Sequence, residues 1–191
     1  RSNLGACEYG GDKGIFAYGY DGSPTASTSI SNLVSNAGVV ATDTTGVGTA
    51  RWSLGACGYG EDKGIFGFGT TGSYVSTSNL VSNAGVISSD VAGVGTARRD
   101  AMACEYGEDK GIFAYGQVGS DFVGYVSTSN LVSNAGVISS DVVGVGTARG
   151  YSAACSYGED KGIFGFGTTE GGPSVVSMTN LVSNAGVVAS D

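Results

Sequence analysis

The chain has 191 residues, of which 35 are glycine and two are proline, and only 14% are charged. Seventeen acids against nine bases give a net charge of −8, which argues against duplex nucleic-acid binding, since that needs basic surface to displace counterions. Histidine is absent, which removes Ser-His-Asp and Cys-His catalysis, histidine–zinc sites and histidine-bound haem or copper.

No apolar run approaches ~18 residues, so no membrane insertion is expected. The glycines lack a G-X-Y period, which excludes collagen; at this density they indicate tight turns and close-packed strands. With no initiator methionine and no signal segment, the chain reads as a processed form or an excised piece.

Taken in chain order, the same unit occurs four times. Cys7, Cys57, Cys104 and Cys155 are separated by 50, 47 and 51 residues, and a "KGIF" phenylalanine follows nine residues later at Phe16, Phe66, Phe113 and Phe164. The "NLVSNAG" asparagine stands at Asn32, Asn79, Asn130 and Asn180, and 25 residues separate each of the first three from the next cysteine. The repeats form a single repeat domain, 1–191, with approximate units 1–50, 51–97, 98–148 and 149–191. All length variation falls between "IF" and "NLV", which marks one face of a repeat architecture. Repeats one and three share "CEYG" and "IFAYG", whereas two and four carry "IFGFG", an alternation that suggests duplication of a two-repeat unit.

Within the second repeat, "RWSLGACGYG" reads as a short strand of small residues and "GED" as hairpin-turn material. "KGIFGFG" puts Phe66 and Phe68 on one face and Gly67 and Gly69 on the other. "VSTSNLVSN" is a β-branched third strand, and "VISSD" a short polar fourth. No segment sustains a helical period. The expectation is an all-β fold, a β-propeller of four four-stranded antiparallel blades, with phenylalanines lying on bare glycine backbone of the neighbouring blade. The alternatives are part of a larger propeller or repeat array, or half of an eight-blade ring made by two chains.

The stretch "ARWSLGACGYGEDKGIFGFG", with its copies from Arg1, Arg98 and Arg149, resembles the kelch repeat of galactose-oxidase-like β-propellers. That resemblance implies that the first strand is innermost, and that the variable loops and the arginines converge on one end. The copper-radical chemistry of that superfamily does not carry over, because no histidine ligand exists.

Several residues are candidates for chemistry. Arg1, Arg51, Arg98 and Arg149 are inter-blade or anion contacts: they either clamp an anion at the channel mouth or pair with Asp43, Asp90, Asp141 and Asp191. The cysteines read as buried thiols, with disulfides or a four-thiolate metal site as alternatives. The "EDK" turns are solvated charges that keep an edge soluble. In the variable loops, Tyr20, Asp21, Tyr74, Asp121, Phe122 and Tyr125 mix aromatic rings with carboxylates, a combination that suits glycans or a protein partner.

No catalytic, cofactor-binding or metal residues are assigned, and the chain is not expected to be an enzyme. The functional expectation is a structural, self-assembling subunit, fibre- or appendage-like, in an extracellular or cell- or virion-surface setting. The alternative is a multivalent lectin-like module working through the variable loops.

Overall fold

The computed structural model describes residues 1–22, 26–120, 123–170 and 174–191, and these contain no helix. The first repeat forms β1 (Gly5–Tyr9), β2 (Lys13–Ala17) and β3 (Ser31–Val34), and the second forms β4 (Gly55–Tyr59), β5 (Lys63–Gly67) and β6 (Ser78–Val81). The third forms β7 (Met102–Tyr106), β8 (Lys110–Ala114) and β9 (Ser129–Val132). In the fourth, β10 (Ala153–Tyr157) and β11 (Lys161–Gly165) are followed by a two-residue pair, β12 (Thr168–Thr169) and β13 (Ser174–Val175), and then β14 (Thr179–Val182).

Each repeat is an antiparallel meander held in one register. Cys7 faces Ile15 and Ile15 faces Leu33; Cys57, Ile65 and Leu80 repeat that line, and so do Cys104, Ile112 and Leu131. The hairpin between the first two strands turns through two left-handed residues, Gly60 at φ 58° and Glu61 at φ 68° in the second repeat. Glycine takes both places in the first repeat, at Gly10 and Gly11. A side chain in that region costs about 1 kcal/mol, so the acids of the later repeats sit there at a small penalty.

Two parts of the sequence expectation are corrected. The sheets have three strands, not four, and they are not closed into a barrel or a four-blade propeller. The segment expected as a fourth strand touches the third only at isolated bridges, such as Val81 with Ile87 and Ser78 with Val91. The reason lies in Asn79. Its side-chain amide donates to Ser88 O at 3.0 Å and to Asp90 Oδ1 at 2.9 Å, which inserts a side chain where a backbone ladder would run.

The four sheets stand in a row. β1, β4, β7 and β10 lie beside one another in that order, and β5, β8 and β11 each rest against the first strand of the preceding repeat. Among the described residues, no sheet has a core of its own. The buried side chains form three layers, one at each junction: Tyr18, Leu54 and Phe66 in the first, Phe68, Ala101 and Phe113 in the second, Tyr115 and Phe164 in the third.

Candidate functional site

The junction between repeats is built from small residues that let side chains cross. A Cβ added to Gly67 would come within 2.9 Å of the Phe113 ring, and one added to Gly55 within 3.0 Å of it. The same holds one step along for thiols: a Cβ on Gly64 would meet Cys7 Sγ at 2.5 Å, on Gly111 Cys57 Sγ at 2.6 Å, and on Gly162 Cys104 Sγ at 2.5 Å. Cys7, Cys57 and Cys104 therefore each fill the hollow above a glycine of the next repeat.

Above this layer lies an arginine–aromatic stack. Tyr18 meets Phe66 edge-on at 5.4 Å between centroids, Phe68 meets Phe113 at 5.2 Å, and Tyr115 meets Phe164 at 5.4 Å. Such pairs contribute about 1 kcal/mol each beyond their buried area. Arg51 covers the Tyr18 ring at 4.3 Å, Arg98 covers Phe68 at 4.0 Å and Arg149 covers Tyr115 at 4.0 Å. All three arginines are fully buried. Each holds its own repeat by hydrogen bonds while its flat face lies on the preceding one. Arg98 donates to Tyr115 O at 2.8 Å, Thr96 O at 3.2 Å and Asn130 Oδ1 at 2.7 Å. Burial lowers its pKa to about 10.

Arg1 shares the bond to its asparagine, Asn32 Oδ1, and donates also to Ile30 O at 2.6 Å, but it stays exposed. Of the sequence-expected arginine–aspartate pairs, Arg149 lies 3.6 Å from Asp191. Asp43 accepts from the Asn32 amide at 2.8 Å, while Asp90 and Asp141 are also engaged by threonine. Asp90 accepts from the Thr49 amide at 3.1 Å and hydroxyl at 2.6 Å, and Asp141 does the same with Thr96. This Asn–Asp–Thr clasp was not read from the sequence. Its signal was there: the asparagine and aspartate are always 11 residues apart.

All four cysteines are free. Cys57 and Cys104 are buried and Cys155 is exposed, while Cys7 is part-exposed as a residue with its sulfur tucked over Gly64. Burial pushes the Cys7 and Cys104 thiols up to about 12. Along the cysteine strands runs an open groove of about 140 Å³ that Glu8 and Glu105 also line. The Glu105 side chain crosses Gly58, and burial, then the charge of Glu8, raises its pKa. Among the described residues, no group of three or more cysteines and acids is placed to hold a metal ion.

Contacts tie the first variable loop to Trp52 of the second repeat, the second loop to the third and the third to the fourth. Tyr20 packs edge-on against Trp52 at 5.9 Å. The Tyr74 hydroxyl donates to Gly119 O, and Arg99 lies 5.7 Å from the Tyr74 ring. Arg99 is itself held by Gln117 Oε1, at 3.0 Å from Nε and 2.8 Å from Nη2. Trp52, Thr70, Ser73, Tyr74, Arg99 and Ser120 line an open cleft of about 470 Å³.

Tyr125 is buried against Gly150, and its amide donates to Glu170 Oε1 at 3.1 Å. Asp21 is exposed, its amide donating to Ala26 O at 3.1 Å. Asp121 and Phe122 lie outside the described residues. The structure thus brings Tyr20 and Tyr74 together with Trp52 and Arg99, which sequence reasoning had not placed in the site.

The chain matches no protein-family model and no curated protein.

Proposed function

We propose that this is a non-catalytic structural subunit, a row of kelch-like repeats forming an arc of a larger propeller or repeat array, that self-assembles at a surface or outside the cell. The observation that carries this reading is the junction. Each repeat buries its aromatic layer only against a neighbouring repeat, so a single repeat has nothing to fold around. Three copies of one junction, each with an arginine–aromatic stack and a thiol over a glycine, are what a lengthening array uses. Mass by light scattering, with negative-stain imaging of the intact chain, tests it. Rings or filaments are expected, and particles of 18.9 kDa at every concentration would refute self-assembly.

A second reading, a lectin-like module, is favoured by the cleft between Trp52, Tyr74 and Arg99, where aromatic faces stand beside a guanidinium. A glycan array decides it: binding lost in Tyr74→Ala is expected, and silence at roughly 100 μM would sink the idea.

A further inference from the structure

We infer that the outer face of the fourth repeat is the docking site for the first repeat of a second copy of this chain, in a head-to-tail contact that reproduces the junction between the second and third repeats. This rests on the reading of the chain as a self-assembling subunit and names the surfaces involved. The observation behind it is that the two faces expose, part by part, the two halves of a junction seen complete inside the molecule.

In the complete junction, Phe68 and Gly67 of the second repeat receive Arg98 and Phe113 of the third, and Cys57 sits above Gly111. Three backbone bonds cross it: Gly60 N donates to Asp109 O at 2.7 Å, Gly69 N to Arg98 O at 2.9 Å and Asp100 N to Ser53 O at 2.9 Å. On the fourth repeat the equivalents of the receiving half are uncovered. Phe166 is 60% exposed, Cys155 is exposed, and a Cβ on Gly165 would meet only Thr179, at 3.4 Å. Gly158 stands where Gly60 does, and a Cβ there would meet nothing within 4 Å.

On the first repeat the equivalents of the incoming half are uncovered too. Phe16 is 39% exposed, and the Arg1 guanidinium is exposed although its own repeat already aims it through Ile30 O and Asn32 Oδ1.

The alternation selects this pairing over others. Even repeats pair phenylalanine with glycine, Phe68 with Gly67 and Phe166 with Gly165, and an odd repeat follows. Placing repeat one after repeat four keeps that order, puts Arg1 over Phe166 and Phe16 over Gly165, and sets Cys155 above Gly14. A head-to-tail contact closes into a ring if the rotation per chain allows, and otherwise grows a filament. Both are one interface.

The test compares the wild-type chain with Gly165→Ile, by light scattering from roughly 1 μM to 1 mM, alongside maleimide labelling of Cys155. Gly165 is buried in the single chain, but a Cβ there meets only Thr179, at 3.4 Å, so the variant is expected to fold, which its circular dichroism checks; in the contact, the new side chain occupies the place of Phe16. Expected are association weakened by about 30-fold or more in the variant, and Cys155 labelling that slows in wild type as the protein assembles. Arg1→Ala is expected to weaken association independently. Association that neither variant weakens, with Cys155 open to label throughout, would overturn the head-to-tail contact while leaving self-assembly standing. A wild-type chain that stays at 18.9 kDa throughout would overturn both.

Discussion

Phe113 illustrates how much rests on single side chains. It is fully buried, its ring lies on Gly55 and Gly67, and Phe68 meets it edge-on. Removing such a ring leaves a cavity that flanking backbone cannot fill, so Phe113→Ala is expected to lower stability by about 3–5 kcal/mol, against under about 1 kcal/mol for the part-exposed Phe16→Ala in a single chain. Urea unfolding of both variants checks the contrast. Arg98 is the polar counterpart. A lysine there keeps charge but loses the flat stack on Phe68 and the forked bonds to Tyr115 O and Asn130 Oδ1. Arg98→Lys is therefore expected to cost about 2–4 kcal/mol by the same measurement.

Acid response also belongs to individual residues, and its two parts have opposite signs. Glu105 is raised above its ordinary 4.5 by burial and by Glu8. Between 4.5 and its higher folded value, the folded protein holds more protons than the unfolded chain, so stability rises as pH falls through that window. Asp62 and Asp109 are held below 3.8 mainly by hydrogen bonds from Lys63 and Lys110, and Asp191 mainly by one from Thr147. Their contribution is present above 3.8 and is lost as pH falls through their folded values. Thermal melts from pH 7 to pH 2 should show a shallow rise and then a fall, and Glu105→Gln should flatten the rise alone.

At the level of strands, the hairpins were legible because their determinants are local. The glycine-and-acid turn, the "KGIF" stretch after it and the recurring "NLVSN" mark the first three strands of every repeat. The fourth segment was read as a strand because its pattern is β-like; what overrides it is the asparagine amide bonded across the gap, a contact set by tertiary geometry. Likewise, burial of the arginines depends on how one sheet sits on the next, and within-strand periodicity carries no information about that. The loop edge was half legible: Tyr20 and Tyr74 stood out as aromatics in variable segments, whereas Trp52 and Arg99 lie next to strand-forming stretches and signal nothing alone.

The same layering sorts the cysteines. Cys57 and Cys104 lie under the next repeat, and Cys155 has no repeat above it here. Alkylation of the dispersed chain at neutral pH, read by peptide mass, should modify Cys155 readily and Cys57 and Cys104 only on unfolding.

Across the whole molecule, stability is a sum over junctions and not over one core. The second and third repeats are covered on both faces, whereas Leu181, Phe166 and Tyr157 of the fourth are exposed on its outer one. Hydrogen exchange of the dispersed chain should therefore show graded protection, highest at Phe66 and Phe113 and lowest in the fourth repeat. Uniform protection along the row would mean a single cooperative unit.

Confining length variation to the loop edge also separates ornament from load. The interval after each aromatic strand differs in length among the four copies, yet all four three-stranded sheets keep one register. Drift by insertion or recombination can then rewrite the displayed loops while every joint stays interchangeable with every other. A lineage built on such a unit can change what it shows to its surroundings without redesigning how it holds together.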